Sequence, residues 1–298
     1  MKKVLLAVAV AAASGAVFAQ ANDTIAKVKG SGVVTMGVRE SSGALSYTLG
    51  DGKFAGFHVE VCQRILAELE KQAGKKLEVK YQPVTSQNRI PLVQNGTVDI
   101  ECGSTTNNAA RQKDVSFLNT TYVEEVRIAV KANSGINSIA QLNGKTIATT
   151  TGTTSVQHLR KHERAKGADF KEVFGKDHAD SFLLLESGRA DAFVMDGSIL
   201  AGNIANAKNP NDFKIVGEVL NVEPIAIMIR KDDAGLKKLG NDVIAGMVKS
   251  GEMNKLWDKW FMQPIPPKNT KVGLPLSEST KQAWASPNDK PMEEYGKK

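Results

Sequence analysis

The alternation of strand-like and helix-like segments constrains this chain more than any other feature. "GVVTMGV" (32–38) reads as a strand, and "GFHVEVCQRILAELEKQAG" as a helix with Val61, Cys62, Ile65, Leu66 and Leu69 on one face and Gly74 as its stop. "LEVKYQPV" is a second strand, "SQNRIPLVQNG" a short helix closed by Gly96, and "TVDIECG" a third strand. This βαβαβ order is that of a parallel sheet covered by helices. The rhythm restarts near residue 145: "KTIATTTG" is a strand, "TTSVQHLRKHERAKG" a helix, "FKEVF" a strand, "SFLLLESG" a helix and "RADAFVMD" a strand. Leu92-x-x-x-Gly96-x-x-Asp99 can be laid on Leu184-x-x-x-Gly188-x-x-Asp191, and counting on puts Ser104 opposite Asp196. We therefore expect an α/β protein of two similar lobes, each with a mostly parallel sheet flanked by helices. Open α/β sheets bind ligands beyond the carboxyl ends of their strands, and two such edges facing each other make a cleft.

Two apolar runs, "VEEVRIAVKA" (123–132) and "EPIAIMIRKDD" (223–233), lead from one half to the other and back. They divide the chain into a discontinuous lobe of residues 22–128 plus 228–298 and a second lobe of residues 129–227. In the return half a helix starts near Gly235, breaks at Ser250-Gly251 and resumes as "EMNKLWDKWF", where Trp257, Trp260 and Phe261 are packing residues. After "PIPPKN" comes a tail in which "SESTKQAWA" is a short capped helix.

Residues 1–21 have the form of a secretory signal peptide: Lys2 and Lys3, a short apolar core from Val4, and small residues for cleavage after Ala19 or Ala21. A soluble protein exported to the periplasm is expected. The net charge of +7 falls to +5 without the two leader lysines, and the remaining basic residues are scattered among acids. That pattern argues against nucleic acid, while a modest positive field favours a small anion. An exported protein sits where disulfides persist. Cys62 and Cys102 can pair, closing a loop of 40 residues for up to about 4 kcal/mol, or remain two buried thiols. Two cysteines alone do not make a zinc site. His158 and His162 stand i, i+4 on a helix but lack the Glu at 159 that a metalloprotease needs, so a solvated helix face is expected. No Gly-x-Ser-x-Gly elbow and no phosphate-cradling glycine run is present, and neither metal nor cofactor is expected.

The residues for binding are better defined. "ECGSTTNNAARQ" (101–112) places hydroxyls beside an arginine with no base to activate them. Arg39, Arg89 and Arg111 all sit at strand ends or in loops, and a guanidinium forks onto a carboxylate through two charge-assisted hydrogen bonds. Ser86, Ser104 and Thr106 add hydroxyls. The free amides near Thr153 and Thr154 open a helix towards an anion, and Asp196 at a strand end can accept an ammonium. Singly, each has an ordinary alternative: a solvated arginine, a helix-capping threonine, an aspartate bonded to backbone. Together they describe a site for a molecule with carboxylates and an ammonium.

"RESSG", "TSQNRIPLVQNGTVDIECGSTTNNAARQ", "TTGTTS", "KDHADSFLLLESGRADAFVMDG" and "DKWFMQPIPPKN" resemble the periplasmic glutamate/aspartate-binding proteins of ABC importers, over nearly all of the mature chain. The resemblance implies the type II periplasmic binding fold, with two hinge strands and a cleft that closes on one amino acid. It implies that Arg111 grips the α-carboxylate with help from Ser104, Thr106 and Thr154, that Asp196 accepts the ammonium, and that Arg39, Ser86, Arg89 and His178 surround the side-chain carboxylate. L-glutamate or L-aspartate is the ligand so implied, an inner-membrane ABC permease the partner, and a monomer the expected state. The sequence departs from the family at Val38, where some relatives carry His, at Gly197, where an acid is common, and in the apolar hinge run "VEPIAIMIR". Two rivals stand beside this reading. One is an exported dehydratase-like enzyme of the same fold using His178 as acid or base; the other is an amino-acid sensor or adhesin.

Overall fold

The computed structural model describes residues 23–295, so the expected signal peptide lies outside the described residues. The chain forms two five-stranded sheets of the same topology. The first has the order Glu78–Pro83, Val33–Val38, Ile100–Glu101, Met228–Arg230, Val115–Phe117. The second has the order Lys171–Gly175, Thr146–Thr150, Ala192–Asp196, Tyr122–Lys131, Phe213–Ile225. In each sheet the first three strands are mutually parallel. The fourth runs antiparallel to the third, and it is the strand by which the chain has just arrived from the other lobe. The match of Leu92–Asp99 with Leu184–Asp191 thus has a physical basis: both stretches lead into the third, central strand of their sheet.

Helices cover both faces of each sheet because the strands are apolar on both sides. The helix Phe57–Ala73 buries Val61, Cys62, Ile65, Leu66 and Leu69 and ends at Gly74, whose φ of 67° closes the last turn. Cys62 is bonded to Cys102, which resolves the choice between a disulfide and two thiols and ties this helix to the strand end beside Ser104. The helix Ala234–Lys249 ends before Gly251, which has φ 77°, and the chain resumes helically at Glu252. Trp257 and Phe261 stack at 4.0 Å and, with Trp260, lie in the first lobe's core. The helix Glu278–Ala285 is capped by Ser277, whose hydroxyl accepts from the Thr280 amide at 3.2 Å.

The lobes are joined where Tyr122–Val126 pairs antiparallel with Asn221–Ile225. Tyr122 and Ile225 pack in the first lobe's core and Val126 in the second's, so these ten residues carry the chain across. Among the described residues, no helix is long and apolar enough to cross a membrane.

Candidate ligand-binding site

The carboxyl ends of the two central strands face each other, and the lobes meet there. Gly152 of the second lobe, at φ +81°, comes so near that a Cβ on it would lie 2.9 Å from the Gln87 backbone of the first. A side chain there would both strain the turn and prop the lobes apart. Gly202 is equally close to the first lobe, where its Cβ would stand 2.7 Å from Gly43 Cα.

Between the lobes is a small cavity, lined by Ser86, Arg89, Ser104 and Thr106 from the first lobe and Thr153, Thr154, His178, Met195 and Asp196 from the second. Its walls carry polar atoms that the protein leaves unused. Ser86 Oγ, Arg89 Nε and Nη1, and Asp196 Oδ1 are buried without a hydrogen-bond partner. Such atoms are rare in folded proteins because each one forfeits its hydration. Burial, and then the neighbouring charge of Arg111, lowers the Arg89 guanidinium to about 9. Burial, and then the charges of Glu124 and Glu223, raises the Asp196 carboxyl well above the ordinary range. Both shifts describe charges awaiting an opposite partner.

Arg39 does not line the cavity but stands behind it, fully buried. Its Nη1 donates to Ser104 Oγ at 3.3 Å, and its Nη2 meets His178 Nε2 at 3.1 Å and pairs with the Asp177 carboxylate across the lobe boundary. Ser41 Oγ donates to the other Asp177 oxygen at 2.7 Å and accepts from the Ala179 amide at 3.1 Å. Burial by itself would raise Asp177; the Arg39 charge, followed by those of its other partners, holds it at about 2. Since Arg39 can only donate, His178 Nε2 accepts and the proton sits on Nδ1, 3.0 Å from Thr150 Oγ1. Burial and then the Arg39 charge push His178 down to about 3, so the ring is neutral. With its lone pair engaged by Arg39, His178 is a support for that arginine and a poor acid or base.

Arg111 also lies outside the lining. Its Nη1 donates to the Thr106 carbonyl at 2.8 Å and its Nη2 to the Gly152 carbonyl at 3.3 Å, bridging the lobes. Those two bonds leave three of the five guanidinium donors uncommitted. The hydroxyls of Thr106 and Thr154, 3.4 Å apart, both point at Glu223 Oε2 from opposite lobes, Thr154 at 2.9 Å. Thr153 turns its hydroxyl back to the Thr150 carbonyl at 2.8 Å and makes no cap bond, so the first amides of the helix Thr154–Lys166 open towards the cavity.

Three features differ from the sequence reading. The His158 face is not solvated: Nε2 is 2.7 Å from Glu223 Oε1 and 3.0 Å from Asn221 Nδ2, because this helix lies against the crossing strand. His162 stacks on Phe170, with ring centroids 6.2 Å apart. Asp177, Glu223 and Met195 were missed. Asp177 stands next to the singled-out His178, and an acid inside the apolar run "VEPIAIMIR" was the available signal for Glu223. Among the described residues, no group of three or more His, Cys, Asp or Glu side chains could hold a metal ion.

The comparisons with known proteins agree with this geometry. The sequence pattern of the bacterial extracellular solute-binding proteins, family 3, matches residues 34–263. A glutamate/aspartate import solute-binding protein of Escherichia coli K12 is 44% identical over 273 residues, 91% of this chain and 90% of that one. An L-glutamate/L-aspartate-binding protein of Pseudomonas aeruginosa is 43% identical over 274 residues, with the same shares covered. Among solved structures, a mutant of ArgBP from T. maritima superimposes with a TM-score of 0.71 at 29% identity, over 80% of this chain and 99% of that one. The L-cysteine solute receptor of Neisseria gonorrhoeae does so with a TM-score of 0.72 at 26% identity, over 86% of this chain and all of that one. The two-lobed scaffold, the closed polar cavity at its strand ends and the match over most of the sequence together show that this chain belongs to family 3 of the bacterial extracellular solute-binding proteins.

Proposed function

We propose that this protein captures an acidic L-amino acid, glutamate or aspartate, in the periplasm by closing its two lobes on it, and delivers it as a monomer to an inner-membrane ABC permease. The observation that carries the reading is the set of unpartnered buried atoms: Arg89 Nε and Nη1 and Ser86 Oγ from one lobe, Asp196 Oδ1 from the other. The side-chain carboxylate is received by Arg89 and Ser86, and the ammonium by Asp196. The α-carboxylate is received by the free donors of Arg111 and the open helix amides, with Glu223 holding the Thr106 and Thr154 hydroxyls beside them. Arg39 and His178 hold Ser104 and the wall of the side-chain subsite in place. Fold alone does not choose the ligand; structural neighbours include an ancestral arginine-binding protein and an L-cysteine receptor. The choice comes from these side chains, and the names of the 43–44% identical relatives support it. Because each lobe offers half of the contacts, a ligand that gains all of them only in the closed form biases the hinge towards closure.

Calorimetry on protein refolded from denaturant, to strip carried-over ligand, tests the reading. L-glutamate and L-aspartate should bind with affinities near micromolar, about −8 kcal/mol, and arginine and lysine should give no heat. Tighter binding of a neutral or basic amino acid would contradict it.

A further inference from the structure

The family pattern ends at residue 263, and the chain beyond it does not simply trail off the first lobe. Its helix Glu278–Ala285 lies along the first crossing strand. Thr280 Oγ1 accepts from the Val123 amide at 3.1 Å, and the Trp284 indole donates to the Thr121 carbonyl at 2.8 Å. Both side chains are buried. The chain then turns over the loop that carries Arg111. Asn107 Nδ2 and Gln112 Nε2 donate to the Asp289 carbonyl at 2.9 and 3.0 Å, and the Met292 amide donates to the Asn107 carbonyl at 2.8 Å. Asn107 in turn gives its own amide to Pro224 of the second crossing strand at 2.8 Å. One peripheral segment thus holds the first crossing strand directly, and through Asn107 it holds the second crossing strand and the loop that begins at Thr106.

We infer that Ser277–Tyr295 is a positioning strap, which fixes the Asn107–Gln112 loop and the crossing strands in the ligand-binding arrangement and so sets the affinity without touching the ligand. This rests on the reading of the cavity as an acidic amino-acid site. Coupling of this kind is reciprocal: if the strap stabilises the loop that binds, the ligand stabilises the strap.

Hydrogen exchange of the full-length protein, with and without saturating L-glutamate, tests the inference. Peptides covering 286–295 should exchange at least about 5-fold more slowly with ligand. If peptides over 150–156 are protected and the 286–295 peptides are not, the strap is overturned. If neither responds, the ligand assignment itself fails. A second test uses Asn288, whose Oδ1 accepts from the Tyr295 hydroxyl at 3.2 Å and from the Lys290 amide at 3.1 Å. Asn288→Ala should weaken glutamate binding about 5-fold through faster release, and Asn288→Asp, which keeps the acceptor, should restore it. A lower melting temperature with unchanged affinity, or no rescue by Asp, would make the segment a purely structural patch and overturn the inference.

Discussion

Two buried arginines of the same lobe, Arg39 and Arg89, are expected from the sequence to play one role, and the structure gives them different surroundings. Arg39 is largely taken up by the protein: Asp177 and His178 of the opposite lobe and Ser104 of its own occupy both terminal nitrogens, and only Nε, away from the cavity lining, has no partner. Arg89 has Nε and Nη1 without any partner and faces the cavity. The difference teaches that a cation beside a ligand site can serve closure or recognition. Its free donors, more than its charge or depth, tell which. On this view the Arg39–Asp177 pair latches the lobes whatever amino acid they enclose, and Arg89 reads the acidic side chain.

Arg89→Met should break recognition most. Losing a buried charge-assisted fork should cost about 3 kcal/mol, on the order of 100-fold in glutamate affinity, with much less loss for glutamine. An equal loss for both amino acids, measured by calorimetry, would erase the distinction between the two arginines. Asp177→Asn should act differently. With one charge of the latch gone, closure is weaker for every ligand, by about 10-fold, and the glutamate-to-glutamine ratio does not fall. A selective loss of glutamate would move Asp177 and Arg39 into the recognition set.

The smallest effect expected is in pH dependence, and it separates the two acids that partner these regions. Asp177 is held at about 2 and stays ionised throughout the working range, so the latch does not titrate there. Asp196 is raised by burial and then by Glu124 and Glu223, and Glu124 is itself raised by burial to about 7. In the ligand-free protein Asp196 therefore keeps a proton that an ordinary aspartate would release, whereas a bound ammonium favours the ionised form. Binding favours release of that proton, so glutamate affinity should rise as pH rises. The heat of binding should also depend on the buffer's ionisation enthalpy. Flat affinity and buffer-independent heat would show that Asp196 is already ionised.

Local and repetitive features were legible in the sequence. Helical periodicity gave the Phe57–Ala73 face, glycines gave its end and the Gly251 break, and the repeated Leu–Gly–Asp spacing paired Ser104 with Asp196. Eight of the ten site residues named from sequence line the cavity: strand ends and helix starts can be placed by pattern, and His178 came from the family resemblance. Contacts that depend on how the lobes meet were not legible. The Arg39–Asp177 pair spans 138 positions, and nothing in either local sequence says that they touch. Arg111 bonds to Gly152 only because closure brings that carbonyl to it. Glu223 and His158 find each other because the helix Thr154–Lys166 rests on a crossing strand, an orientation that its sparse apolar face left undetermined.

A crystal structure of the wild-type protein with L-glutamate tests the central claim most directly. The account predicts the side-chain carboxylate on Arg89 Nε and Nη1 and Ser86 Oγ, the ammonium on Asp196 Oδ1, and the Arg39–Asp177 pair intact beside them. Glutamate bound with Arg89 and Asp196 still unpaired, or with Arg39 drawn off Asp177 onto the ligand, would contradict it.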